Sequence, residues 1–318
     1  MKIPLSFQRK YLFHRLGSQD SSVIIGSGIG EDAGVVTVDG AYLVSHTDPI
    51  TEAKNHIGKI AVQVSSNDVA VKGARPKWSL VTILLPYLDE ALLDWITAEI
   101  DVTSKRLGIS IVGGHTEVTS SVTAPIVSIS TFGIAKGPLL DVKRIRPGQM
   151  IIMINEAGIE GTAVIALDHG GMISDLADVV ERSKRFIDEL SIAEDALAAS
   201  QLGAVSAHDP TEGGIIAGLL EMALSSHTMF NVNVEKIAIR KETKTICQKL
   251  GLDPLKLLSS GALLLTAEPD NVSRILDAFR GRARVIGNVK AGEGLLLRGK
   301  GYGGLISEIP QDEIEQLV

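Results

Sequence analysis

HTDPITEAKNHIGKIAVQVSSNDVAVKGARP, residues His46 to Pro76, sets two acidic side chains in different local settings. The run before it, Ala41 to Ser45, is short and apolar, with the composition of a strand, and Pro49 is expected to stop ladder pairing, which leaves Asp48 at a strand end. From Ile57 onward, Ile57, Ile60, Ala61, Val64 and Val71 recur at helical spacing, and Gly73 with Pro76 supplies the stop. Asn67 and Asp68 interrupt this apolar helix. A carboxylate and an amide buried there cost several kcal/mol unless they are paired or bind a cation. Spacing alone leaves the readings open: a site, or else a partnered core residue or the cap of a second short helix.

Upstream, residues 5–16 read as an amphipathic helix, and Val23-Ile24-Ile25 leads into GSGIGEDAGVV. Gly26, Gly28 and Gly30 let backbone amides converge on an anion, although a glycine-rich turn needs no ligand. No Gly-Lys-Ser/Thr follows, so this is not a Walker loop. Asp32 precedes the strand Ala33 to Val38, and a hairpin across Asp39-Gly40 would carry Asp32 and Asp48 to the same end of a sheet.

Downstream, Trp78 to Leu85 reads as a strand, Asp89 to Leu107 as a helix closed by Gly108, Ile109 to Val112 as a strand and GGHTE, residues 113–117, as a polar turn. A strand from Ala124 to Phe132 follows, and the turn Arg146-Pro147-Gly148-Gln149 marks a boundary between domains at 1–140 and 147–318. The second half alternates strand Met150–Ile154, a helix to Leu167, a long helix Asp178–Leu202, and HDPTEGG, residues 208–214, before a helix Ile215–Leu224. Asp209, Thr211, Glu212, Gly213 and Gly214 at that helix start bind a phosphate, directly or through a metal, or else simply cap the helix. Strand Ala262–Ala267, helix Asp270–Phe279 and strand Ala283–Val289 read as scaffold.

The 318 residues suffice for two domains, and a hydrophobic fraction of 45% supports a real core. A net charge of −7 with interspersed signs argues against nucleic acid and for a small molecule or a protein as partner. The single cysteine, Cys247, excludes an intramolecular disulfide framework and a cysteine zinc cluster. No leader-like segment or membrane-length apolar run is read, so the expectation is a cytoplasmic protein without membrane contact.

Together HTD, SSNDVAVKGARP, GGHTE, HDPTEGG and SSGALLL resemble the aminoimidazole-ribonucleotide (AIR) synthetase, or PurM-like, superfamily, over residues 26–289 and nearest its HypE hydrogenase-maturation branch. IGEDAGVV is instead similar to an element of the thiamine-monophosphate kinases of the same superfamily. The resemblance implies an α/β (α+β) two-domain fold, a homodimer built through N-terminal sheets, and ATP with Mg²⁺ as cofactors. It assigns Asp32, Asp48 and Asp68 to the metal, catalytic roles to Asp68, Asn67 and Glu212, and nucleotide binding to Gly28, Gly30, His115, Thr116, Asp209, Thr211, Gly213 and Gly214. Carboxylates around Mg²⁺ suit phosphoryl chemistry, which needs positioning and charge neutralisation more than a protein nucleophile.

Three departures stand out: His115 replaces an Asp, Glu212 replaces the Arg of the HypE motif, and the chain ends EQLV in place of the thiol-bearing HypE tail. The implied activity is therefore ATP hydrolysis or phosphate transfer to an unidentified small acceptor without tail-thiol chemistry. A thiamine-monophosphate-kinase-like enzyme and a non-catalytic nucleotide-binding assembly protein are the alternatives.

Overall fold

The computed structural model describes residues 3–51 and 53–317. It opens with α1 (Leu5–Tyr11), shorter than the sequence suggests and with no buried residue, so no packing extends it. Then come β1 (Val23–Ile25), β2 (Gly34–Val38), β3 (Ala41–Ile50), α2 (Ile57–Ala70), β4 (Arg75–Leu85), α3 (Glu90–Leu107), β5 (Ser110–Val118) and β6 (Ile126–Ala135). The six strands form one sheet in the order β1-β2-β3-β6-β4-β5. The expected hairpin forms, with Val38 opposite Ala41 and positive φ at Asp39 and Gly40, the geometry that matches the twist of the flanking strands.

Two sequence readings fail in this sheet. Pro49 does not end β3: the strand runs to Ile50, pairing Asp48 with Ile129 and Pro49 with Ser128 of β6. From His46 onward β3 has lost its β2 neighbour, and a proline is tolerated where only one side of the ladder is used. GGHTE is likewise no turn but the middle of β5, which is exposed along its whole length at the sheet edge and runs parallel to β4. Gly114 permits this approach, since a Cβ there would lie 1.9 Å from the Val81 carbonyl oxygen.

The second half contributes β7 (Met150–Ile154), α4 (Ile159–Asp168), α5 (Ala177–Ser183), α6 (Ala193–Gln201), β8 (Ala204–His208), α7 (Gly214–Ser225), β9 (Met229–Asn233), α8 (Lys241–Leu250), β10 (Leu263–Ala267), α9 (Pro269–Ala278), β11 (Ala283–Lys290), β12 (Gly294–Gly299) and β13 (Tyr302–Ile306). Its seven strands lie in the order β13-β12-β9-β11-β7-β10-β8. In β7, Ile151 and Met153 pack toward α7, while Ile152 and Ile154 pack toward α6 and α9. Helices on both faces explain why β7 reads as an unbroken apolar run and β10 as one interrupted only by Thr266, which bonds Ser206. Among the described residues no helix is long and apolar enough to cross a membrane.

α2 is the joint between the halves. Every residue in it except Lys59 is buried, because the first sheet covers one side while α4, α5 and the Phe186-Ile187 turn share its core on the other. Its polar residues are buried with partners: Ser65 with Thr131, and Gln63 with the Ile187 carbonyl and Arg106. The expected helix Asp178–Leu202 breaks into α5, a 3₁₀ turn Lys184–Asp188 and α6. Asn67 bridges the break, donating to the Leu190 carbonyl at 2.8 Å and accepting from the Ile192 amide at 2.9 Å. One side chain thus takes the place of the helical partners these two backbone groups have given up.

Replacing Asn67 with Ala is expected to cost about 3 kcal/mol in chemical denaturation, the order found when buried polar groups lose their partners. A loss below about 1 kcal/mol would show that the bridge carries little of the stability.

Candidate functional site

A cavity of about 360 Å³ opens between the loop before β2, the end of β3, α2, and the segment joining β8 to α7, with Leu5, Gln8 and Leu12 of the N-terminal segment along its rim. Gly28, Gly30, Asp32, His46, Asp48, Asp68, Thr211 and Glu212 all line it. As the hairpin geometry requires, Asp32 and Asp48 reach the same end of the sheet. His46 and Asp48 are two residues apart on β3 and so share a face, directed at Asp68 on α2. Ligand atoms of His46, Asp48 and Asp68 lie within 4.8 Å of one another.

The electrostatics of this group favour a cation. Burial, reinforced by Asp32, Asp209 and Asp48, holds the Asp68 carboxyl well above the usual carboxylate range. Burial also lowers the His46 imidazole, against the pull of Asp32. The 3.2 Å contact from His46 Nε2 to Asp68 Oδ2 therefore joins two groups that both resist ionisation. A hard cation here would offset the crowded negative charge and draw on oxygen donors already in place.

Asp32 is held differently. Its Oδ1 lies 2.6 Å from His208 Nδ1, and His208 Nε2 lies 3.3 Å from Glu221 on α7. Lys72, fully buried just past the end of α2, bonds Glu31 at 2.8 Å and lies 3.8 Å from Asp32. Burial would raise the Asp32 carboxyl, but His208 and Lys72 outweigh it and keep it below its ordinary value. Burial likewise opposes the His208 imidazolium, yet Asp32 and Glu221 push it up to about 9. Asp32 Oδ2 has no hydrogen-bond partner.

Several of the expected site residues lie apart from this cavity or are held by other partners. The Asn67 amide donates to the Leu190 carbonyl and to Asp209 and accepts from the Ile192 amide, so it bridges α2 to the second half. Asp209 is buried beside it, outside the cavity lining, with its carboxyl raised to about 8 chiefly by burial. Gly213 and Gly214 do not present a free anion nest: the Gly213 amide donates to Asp312 at 2.7 Å and the Gly214 amide to the Thr211 carbonyl at 3.0 Å. His115 and Thr116 point along the exposed edge strand, where they line a groove with Ile83 and Thr97 and take no part in the acidic cavity.

Four partners went unread in the sequence: His46, Lys72, His208 and Glu221. His46 alone carried a signal, its i, i+2 relation to Asp48 in a strand, which the assumed proline stop concealed. The others are brought together by tertiary folding.

The chain belongs to the AIR synthase related family: the model of that family's N-terminal domain matches residues 30–135 and that of its C-terminal domain residues 146–300. It is 30% identical to the carbamoyl dehydratase HypE of Rhizobium leguminosarum bv. viciae, over 82% of this chain and 77% of that one. Its fold matches a hydrogenase maturation protein HypE solved in complex with ATP (TM-score 0.68, 22% identity, 96% and 93% of the two chains). It also matches a ThiL protein complexed with AMPPCP and TMP (TM-score 0.73, 19% identity, 89% and 92%).

The buried titrating groups give a direction to the pH dependence. His208 has a folded pKa of about 9, above its ordinary value, so its contribution is complete below about 6.5 and is lost as pH rises through about 9. Asp209, raised to about 8, acts with the same sign over a window that begins near pH 4. The metal-free protein is therefore expected to lose a few kcal/mol between pH 6.5 and 9 in urea melts. A flat or rising profile across that window would contradict the assignment.

Proposed function

We propose that this chain binds ATP with Mg²⁺ in the acidic cavity and uses it in phosphoryl chemistry, hydrolysing the nucleotide or passing a phosphate to a small acceptor. The observation that carries this reading is the convergence of His46, Asp48 and Asp68 within 4.8 Å in a chain of the AIR synthase related family. The donor set fits the ion, being rich in carboxylate oxygen, and the carboxylate of Asp32 lines the same cavity, its Oδ2 3.8 Å from Lys72. His46, an imidazole, is the least suited member for Mg²⁺ and serves better as a hydrogen-bond donor to Asp68. When bound, Mg²⁺ supplies charge neutralisation for the transferring phosphate.

Within this reading Asp48 and Asp68 hold the ion, while His208 and Lys72 fix the carboxylate of Asp32. Gly28 and Gly30 give the triphosphate an approach free of side chains. Glu212 stands where the acidic cavity meets a second one of about 390 Å³, formed between the N-terminal segment and residues 307–315. A space of that size beside the phosphate site favours transfer to an acceptor, which is the kinase-like form of the proposal, over hydrolysis alone. HypE-type thiol chemistry lies outside the proposal: the only cysteine, Cys247, is buried on α8 with its thiol pushed up to about 12 by burial, far from the thiolate such chemistry needs.

The protein is further proposed to be a homodimer. Trp78, Leu80, Ile111, Val112 and Val118 are exposed on β4 and β5, and the edge of β5 is unpaired, a surface that a second copy would cover. His115 and Thr116 would then belong to the contact between copies.

Calorimetric titration with Mg²⁺ and a nonhydrolysable ATP analogue is expected to show at least tenfold weaker binding in Asp48→Ala and in Asp68→Ala, both checked for folding. Unchanged affinity in both variants would sink the metal assignment. Light scattering is expected to give twice the 33.8 kDa chain mass at micromolar concentration, falling to one chain in Val112→Glu. A wild-type monomer would refute the dimer.

A further inference from the structure

Six carboxylate residues line the acidic cavity, and among the described residues no lysine or arginine does. Lys72 and Lys143 come as near as Glu31 and are both engaged there. A triphosphate carries more negative charge than one divalent ion offsets, and an acidic wall repels the remainder. Arginine complements a metal ion in such a setting, because its planar fork meets phosphate oxygens two at a time.

The N-terminal segment holds a candidate. Leu5, Gln8 and Leu12 line the cavity, and Arg9 stands four residues after Leu5 and three before Leu12, so helical phase sets it on the flank of the same face. Arg9 is exposed, and among the described residues no carboxylate pairs with it. Residues 1–16 contain no acid at all, so nothing on its own segment competes for the guanidinium. Lys10 and Arg15 are placed differently: their charges lie 4.9 and 5.6 Å from the centre of the Tyr11 ring, and none of the three residues lines the cavity. Gln8, next to Arg9, lines both the acidic cavity and the second one that meets it at Glu212.

We infer that Arg9 binds the phosphates of the nucleotide, its side chain turning from solvent over the rim while α1 keeps its place. The inference rests on the reading of the cavity as an ATP site and adds to it a cationic residue from the N-terminal segment. Since α1 has no buried residue, the adjustment disturbs no core.

The test titrates the full chain, in the presence of Mg²⁺, with a nonhydrolysable ATP analogue by calorimetry, and follows trypsin cleavage between Arg9 and Lys10. Wild type is expected to bind the analogue and to be protected from cleavage there once bound. Arg9→Gln should bind at least about tenfold more weakly at an unchanged melting temperature, the loss that a charge-assisted hydrogen bond represents. Arg9→Lys should recover part of that loss, whereas Lys10→Gln and Arg15→Gln should stay within about twofold of wild type, as expected of charges that make no direct contact. Affinity in Arg9→Gln equal to wild type, or analogue-bound wild type cleaved as fast as the free protein, overturns the role of Arg9 and leaves the ATP site standing. Equal losses in the variants of Arg9, Lys10 and Arg15 reveal a diffuse field and overturn it as well. A wild type that binds no analogue overturns the ATP reading together with this one.

Discussion

Lys72 has no solvent exposure, and the charges around it decide where much of the molecule sits. It holds Glu31 and Asp32 of the loop before β2, Asp32 holds His208 at the end of β8, and His208 reaches Glu221 on α7. The loop before β2, the end of α2 and the β8–α7 unit, far apart in sequence, are thereby fixed to one another. Desolvating these ions costs several kcal/mol each, which the contacts recover only while the set is complete. Such a chain therefore adds geometric definition more than net stability. It makes one position of Asp32 much cheaper than any other, and Asp32 forms a wall of the acidic cavity.

The first half of the fold was legible wherever a local signal governs. Asp39-Gly40 demanded a tight hairpin, and the structure has it. Asp89 caps α3 by accepting from the Leu92 amide, and Gly108 ends the helix with positive φ. Legibility failed where tertiary context overrides such signals. Pro49 and the Gly113-Gly114 pair both read as punctuation, yet one sits on a half-paired strand and the other lets an edge strand approach its neighbour. The long helix predicted across Leu190 is broken because Asn67, more than a hundred residues earlier, satisfies its freed backbone groups. In the second half β8, β9, β12 and β13 escaped notice, being strands of five or six residues with no clear alternation.

The candidate site divides along the same line. Asp32, Asp48 and Asp68 stand out because acids at strand ends and inside an apolar helix are costly, and all three line the cavity. Asn67 stands out for the same reason and turns out to be architecture, so cost alone does not separate a ligand from a brace. His208 and Glu221 carry no such mark, since a histidine before a turn and a glutamate in a helix are unremarkable until the fold joins them.

The shared core around α2 also limits how the protein can move. Two halves that met across a thin polar seam could close over a ligand by bending at their connection. Here α2 is packed from both sides by one continuous apolar cluster, and opening that seam would expose the centre of the molecule. Motion is cheapest where least is buried, and that place is α1, none of whose residues is buried although Leu5 and Gln8 stand at the rim of the acidic cavity. The part of the cavity rim that opens at least cost is thus one short segment, whose local motions belong to faster timescales than a swing of domains.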